Sequence, residues 1–189
     1  MAKHIERKQR EQENLRKSIL QAALDIAVSE GWDNVTIRKI ADAVEYTTSI
    51  VYSHFENKEA MLQELVEMGF VALNERFRKS VEKESDPRKQ LLAISLVNWD
   101  YAFENNALYK LMFSFGKPTT ETAKQGSAMV DNIFIRLTGK EGDEIRALRL
   151  NWLCLRQGAI SYLMSTERQE AEKNKVLYME FIERFISSI

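Results

Sequence analysis

Apolar residues recur at the helical period along the whole chain. Leu15, Ile19, Ala23, Ile26 and Ala27 fall three or four residues apart, the spacing that gathers side chains on one helix face. They predict a first helix from about Glu11 to Glu30, ended by Gly31, which tolerates the left-handed conformation found at helix C-termini. Ile37, Ile40, Ala41 and Val44 predict a short second helix, with Thr36 placed to cap it. After a break at Glu45-Tyr46, Thr47 is placed to cap a third short helix, Thr48 to about His54. Asn57 is placed to cap a fourth that reaches about Lys83, with Met61, Leu62, Leu65, Met68, Ala72 and Leu73 inward. Ser85-Asp86-Pro87 restarts the chain, since aspartate caps and proline suits a first helical turn. Further helices are predicted over about 87–104, 107–115, 120–138, 143–165 and 168–187. Asn105-Asn106, Gly116-Lys117-Pro118 and the run Gly139 to Gly142 separate them, and Thr166 with Gln169 forms a capping box at the last start. No segment alternates at the strand period and none repeats. The expectation is an all-α fold of about nine helices.

Composition supports that picture. With 189 residues, 44% apolar and 29% charged, the chain has a soluble, globular make-up and can bury a sizeable core. Net charge is −1, so any field that attracts nucleic acid must be local. One such place is the first 17 residues, where Lys3, Arg7, Lys8, Arg10, Arg16 and Lys17 face Glu6, Glu11 and Glu13; six cations against three carboxylates leave +3. By composition alone that run is a solvated, frayed terminus. The single cysteine, Cys154, excludes an internal disulfide and fits a reducing cytoplasm. It lies in the apolar run Trp152-Leu153-Cys154-Leu155, where a buried thiol is expected. No stretch is long and apolar enough to span a membrane, and the N-terminus lacks the apolar core of a signal peptide. A cytoplasmic protein with no membrane partner is expected.

The segment Ile37 to Ser53 carries the candidate chemistry. Small Ala41 allows a second helix to cross closely over the first, and Ile40, Val44 and Val51 pin the pair. Thr47, Thr48, Ser49, Tyr52 and Ser53 then face outward, and short or planar hydrogen-bonding groups suit phosphates and base edges in a major groove. On pattern alone the pair is a DNA-binding helix-turn-helix or an ordinary αα-hairpin.

The longer run Thr36 to Glu59 resembles the N-terminal signature of the TetR/AcrR family of repressors. Thr36, Arg38, Ile40, Ala41, Thr47, Ser49, Tyr52, His54, Phe55, Asn57, Lys58 and Leu62 stand in register with it. The segment from Ser18 to Trp32 is similar to the family's first helix, so the resemblance covers about the first third of the chain. It implies a three-helix DNA-binding domain over residues 1–58, a long linking helix over 58–83, and a dimerisation and ligand-binding domain over 84–189. It places Thr36 and Arg38 near the DNA backbone, and Thr47, Thr48, Ser49, Tyr52 and His54 on phosphates or bases. Lys58 would bind a phosphate at a helix N-terminus, and the basic N-terminal arm would reach toward DNA. Glu45 departs from the family's turn glycine, which implies a reshaped turn and an added negative charge. Tyr46 stands where valine is common, and it either packs or reaches a phosphate.

In the C-terminal part, Ile145, Leu148, Trp152, Leu155, Ala159 and Tyr162 alternate spacings of three and four, a stripe suited to packing on another long helix. Phe181 and Phe185, with Tyr178, Ile182 and Ile189, form another apolar face. Ile145, Leu148, Trp152, Leu155, Phe181 and Phe185 are the expected homodimer contacts, because a palindromic double-stranded operator calls for two-fold protein symmetry. Trp99, Tyr101, Phe103, Tyr109, Met112, Phe113 and Phe115 are dense in a short segment. Tyr101 to Phe113 is similar to a stretch of the family's WHG-type subgroup, although Gln157 stands in place of that subgroup's histidine. Trp99, Phe103, Tyr109, Met112, Phe113, Trp152, Gln157 and Tyr162 either line a pocket for an apolar or aromatic effector or are plain core.

Two other classes compete. An enzyme would need a glycine-rich phosphate loop, a cysteine–histidine pair or metal-spaced ligands, and none occurs; with only His4 and His54 no multi-histidine metal site can be built, so neither catalysis nor a cofactor is expected. A helical scaffold fits the neutral charge but not the outward Thr47-Thr48-Ser49 and Tyr52. The expected function is a ligand-responsive, homodimeric DNA-binding repressor.

Overall fold

A computed structural model describes residues 2–114, 121–164 and 170–189. The expected elements at Phe115, Gly116-Lys117-Pro118 and the capping box Thr166–Gln169 lie outside the described residues. The described chain is all-α, in the order α1 (Ala2–Glu30), α2 (Ile37–Ala43), α3 (Thr48–His54), α4 (Lys58–Val81), α5 (Pro87–Glu104), α6 (Asn106–Ser114), α7 (Glu121–Thr138), α8 (Asp143–Leu163) and α9 (Ala171–Ser187). A single 3-10 turn at Trp32–Asn34 follows α1. No described helix is long and apolar enough to cross a membrane.

α1 begins at Ala2, well before the expected Glu11, so the basic run is helical and not frayed. No glycine or proline interrupts it, and Arg7–Glu11 at 2.8 Å and Lys17–Glu13 at 3.9 Å are pairs one turn apart. Gly31 ends the helix at φ +86°, its N–H donating to the Ala27 carbonyl at 3.0 Å.

The chain divides into two compact units, residues 1–68 with 106–115, and residues 69–105 with 116–189. In the first unit, Ile19, Ala23 and Ala27 of α1 are buried, as are Ile40 and Ala41 of α2, Val51 of α3, Phe55, and Met61 and Leu65 of α4. α6 contributes Tyr109, Leu111 and Met112, and the Trp32 indole N–H donates to the Ala107 carbonyl at 2.8 Å. Thr36 Oγ1 accepts from the Lys39 N–H at 3.2 Å, and Asn57 Oδ1 accepts from the Ala60 N–H at 2.8 Å. The Thr47 hydroxyl makes no cap bond; only its carbonyl enters the helix, accepting from the Ile50 and Val51 N–H groups at 3.0 and 3.4 Å.

The second unit is built from the rest of α4 with α5, α7, α8 and α9. Trp99, Phe134, Trp152, Ile160, Tyr178 and Ile182 lie at its centre. Trp152 meets Phe134 edge-on at 5.8 Å, and the Tyr178 hydroxyl donates to the Ser95 carbonyl at 3.1 Å. Asp86 caps α5 by accepting from the Arg88 N–H at 2.9 Å, with Pro87 in the first turn as expected. Two expectations fail on helix phase. Met68 and Ala72 of α4 are exposed, because the buried stripe runs through Val66, Phe70, Leu73 and Phe77. Cys154 is exposed, because α8 buries Ile145, Trp152, Arg156, Ile160 and Leu163 and turns position 154 to the opposite side.

Candidate nucleic-acid interface

Position 45 sets the geometry between α2 and α3. After Ile40, Ala41 and Asp42, the Glu45 N–H donates to the Asp42 carbonyl at 3.2 Å and the Tyr46 N–H donates to the Ala41 carbonyl at 2.9 Å. These are the two bonds of a Schellman helix end, which needs a left-handed residue between them. That residue is Glu45, at φ +59°, the only described non-glycine with positive φ. The turn therefore keeps a glycine-type shape, contrary to the expected reshaping, with a glutamate held in it at a cost of about 1 kcal/mol.

The tight turn lets α3 cross α2 closely. Seven residues long, α3 buries only Val51. Thr48, Ser49 and Tyr52 are exposed together on its outer side, with Thr47 just before them. Tyr52 is 54% exposed and Tyr46 50%, so both phenols reach solvent. The Ser53 hydroxyl is turned back, donating to the Ile50 carbonyl at 2.7 Å. Thr36 and Arg38 are exposed at the start of α2, while His54 and Lys58 are half-buried, Lys58 as the first residue of α4. Neighbouring Lys39 is engaged by Glu30. Between α1 and the turn runs an open groove lined by Asn14, Ser18, Gln21, Val44, Glu45 and Tyr46 among others. The arrangement offers a short helix with a polar face, flanked by a cation at a helix start, a geometry that can enter a major groove.

The sequence profile of the family described as bacterial regulatory proteins, tetR family, matches residues 19–65, which hold α2, α3 and the turn between them. Residues 19–65 thus carry the helix-turn-helix signature of the tetR family. A nucleoid occlusion factor, SlmA, of Vibrio vulnificus is 29% identical over 100 residues, 52% of this chain and 51% of that protein. The match thus spans about half the length of that relative. SlmA of Escherichia coli is 26% identical over 144 residues, 76% of this chain and 72% of that protein. Among solved structures, the regulator PfmR of Thermus thermophilus superposes with a TM-score of 0.69 at 20% identity, over 88% of this chain and 97% of that one. A TetR variant from Acinetobacter baumannii in complex with minocycline gives 0.71 at 20% identity, over 91% and 94%. At that identity the two structures share a fold with this chain.

The expected effector residues are divided between the units. Tyr109 and Met112 are buried and Phe113 half-buried in the first, where the Tyr109 and Phe113 rings lie 4.7 Å apart. Trp99 is buried in the second, stacked on Phe103 at 4.3 Å and tilted against Tyr178 at 5.0 Å. Gln157 is half-buried, and Tyr162 is 74% exposed, on the outer side of α8. Arg156 was missed by sequence reasoning. It is only 6% exposed, its guanidinium carbon 3.7 Å from the Trp152 ring centroid and 5.9 Å from that of Phe77. The available signal was its spacing: Arg156 lies one turn after Trp152 on the same helix face. Trp152 is itself 1% exposed, and its indole N–H has no acceptor among the described residues.

The expected dimer contacts divide by burial, with Phe181 exposed. Ile145 and Trp152 point into the unit's own core, while Leu148, Leu155 and Phe185 are half-buried. Exposed apolar residues include Leu150, Cys154 and Tyr162 on α8 and Val176, Leu177 and Phe181 on α9. A strict three–four stripe drifts around a straight helix, so it picks residues from two faces of α8.

Proposed function

We propose that this protein is a homodimeric transcription regulator that inserts α3 into the major groove of a two-fold symmetric operator. The observation that carries the reading is α3 itself: one buried residue, Val51, and an exposed row of Thr48, Ser49 and Tyr52. Thr36, Arg38, Tyr46, Thr47, His54 and Lys58 flank that row as backbone or phosphate contacts. Dimerisation is assigned to the exposed apolar side of α8 and α9. Gly158 supports this, because it is an exposed helical glycine with open space where a side chain would be. Such a residue weakens a helix unless another backbone approaches it closely.

The test is an anisotropy titration with duplex selected by the wild-type protein from a randomised pool. Replacing Thr48 and Tyr52 together by Ala should weaken binding about a hundredfold, with stability changed by less than about 0.5 kcal/mol. Failure of the wild type to select any duplex, or an unchanged affinity in the double variant, overturns the reading.

The effector assigned to the second unit narrows the apolar or aromatic compound the sequence suggests. Trp152 offers a buried N–H without an acceptor among the described residues, so an aromatic compound carrying a hydrogen-bond acceptor suits it. Such a compound changes operator affinity only if it binds the DNA-competent and DNA-incompetent dimers unequally. The curated relatives favour a second reading, nucleoid occlusion. Mapping bound sites in cells separates the two, since promoter-proximal clusters fit regulation and sites dispersed along the chromosome fit the other role.

A further inference from the structure

Arg16 on α1 joins three elements of the first unit. Its Nε donates to one carboxylate oxygen of Glu64 on α4 at 2.9 Å, and its Nη2 to the other. Its Nη1 donates to the carbonyl of His54, the last residue of α3. The face of the guanidinium lies 4.0 Å from the centroid of the Phe55 ring, which is buried directly after α3. The three donors used all meet groups of this unit and Phe55 covers one flat face, while the side chain as a whole stays 37% exposed. Arginine is suited to this arrangement because its fork meets both carboxylate oxygens while a further N–H remains for the carbonyl; lysine has a point charge and no fork.

The recognition helix needs such a contact. A helix of seven residues has no stability of its own, and α3 buries only Val51. Its N-terminal end is fixed by the turn at Glu45. Its last carbonyls lack partners within the helix, and a cation there also complements the helix dipole. Arg16 supplies both the donor and the charge, and it ties that end to α4 through Glu64. The composition of the N-terminal arm had grouped Arg16 with the cations available to DNA. The geometry removes it from that group.

We infer that Arg16 is a positioning residue for DNA recognition, setting the pitch of α3 against α4 without touching DNA. This rests on the reading that α3 meets DNA, and the experiment separates the two. Arg16→Lys, Arg16→Gln and Glu64→Gln are compared with wild type in binding both the selected duplex and an unselected duplex over a series of salt concentrations. Each variant is also melted. Arg16→Lys, which keeps the charge, should still weaken binding to the selected duplex about tenfold or more. Glu64→Gln should weaken it in the same direction and by less. For both, affinity for unselected duplex and the slope of log affinity against log salt should stay at the wild-type values.

The inference is overturned if Arg16→Gln lowers the salt slope by about one and Arg16→Lys restores it, since that is the signature of a phosphate contact. It is also overturned if every variant binds the selected duplex as wild type does. Should the Arg16 variants lose cooperative melting, Glu64→Gln decides by the same two readouts. A wild-type protein that selects no duplex refutes the DNA reading instead, before any variant is compared.

Discussion

The two compact units place their polar groups in opposite ways. In the unit of residues 1–68 and 106–115, the side chains proposed for recognition stand outside: Thr48, Ser49 and Tyr52 are exposed and the buried residues of α1, α2 and α3 are apolar. In the other unit Gln90, Ser95, Asn98, Arg156 and Asn174 are all buried, alongside Trp152. A polar exterior on a thin helix suits a large, flat, charged partner that brings its own surface. The polar interior is used within the unit itself: Gln90 donates to the Val81 and Glu84 carbonyls and Ser95 to the Leu91 carbonyl. The difference separates polar groups left for a partner from polar groups spent on holding helices together.

The largest expected effect tests the interior. Trp152→Ala should cost about 3–5 kcal/mol of stability by denaturant unfolding, because it empties a large buried site and strips Arg156 of its aromatic face. A loss below about 1 kcal/mol would mean that this interior is not tightly packed, and the contrast between the units would break. Next comes the apolar exterior of α8 and α9. Phe181→Asp should shift the dimer–monomer equilibrium toward monomer by about 2 kcal/mol in sedimentation, with each monomer still folded. An unchanged equilibrium would place the dimer contact elsewhere.

A smaller effect sharpens the first unit. Glu45→Gly should stabilise by up to about 1 kcal/mol in thermal melts, since glycine adopts the left-handed turn without strain. Glycine also frees the unfolded chain, so the gain is smaller than the strain relieved. The removed carboxylate should tighten binding to unselected duplex as well. The smallest effect is alkaline. Burial raises the Tyr101 hydroxyl above its ordinary range, against an opposing pull from Arg76, and the hydroxyl donates to the Gly69 carbonyl at 3.1 Å. With the folded value raised, its contribution is full below the unfolded tyrosine value of about 10 and is lost as pH rises through the folded one. Urea midpoints of wild type should therefore fall more steeply above about pH 10 than those of Tyr101→Phe, which has no proton to lose.

The sequence made the helix order legible, because capping residues and glycines are local signals. Thr36, Asn57, Asp86 and Gly31 each stand at the end they mark. The exposed row of α3 was legible for the same reason: on a helix that buries one residue, the remaining polar side chains have nowhere else to go. The α8 stripe was not legible. Its apolar residues surround more than half the helix, so spacing alone selects Leu148 and Tyr162 as readily as Ile160 and Leu163. The true inward face includes a charged residue, Arg156, which a hydrophobic stripe cannot contain. Arg16 was misread for a related reason, since formal charge says nothing about whether a guanidinium is already engaged.

The cation over Trp152 also gives the protein a built-in spectroscopic reporter. An indole beside a fixed positive charge emits at a wavelength that depends on that charge. The chain's other tryptophans are Trp99, buried in the same unit, and Trp32, half-buried in the other with its indole N–H on the Ala107 carbonyl. Replacing Trp99 by phenylalanine would leave one emitter in each unit. Occupancy of the interior could then be followed through Trp152, with Trp32 as the internal standard and no label attached.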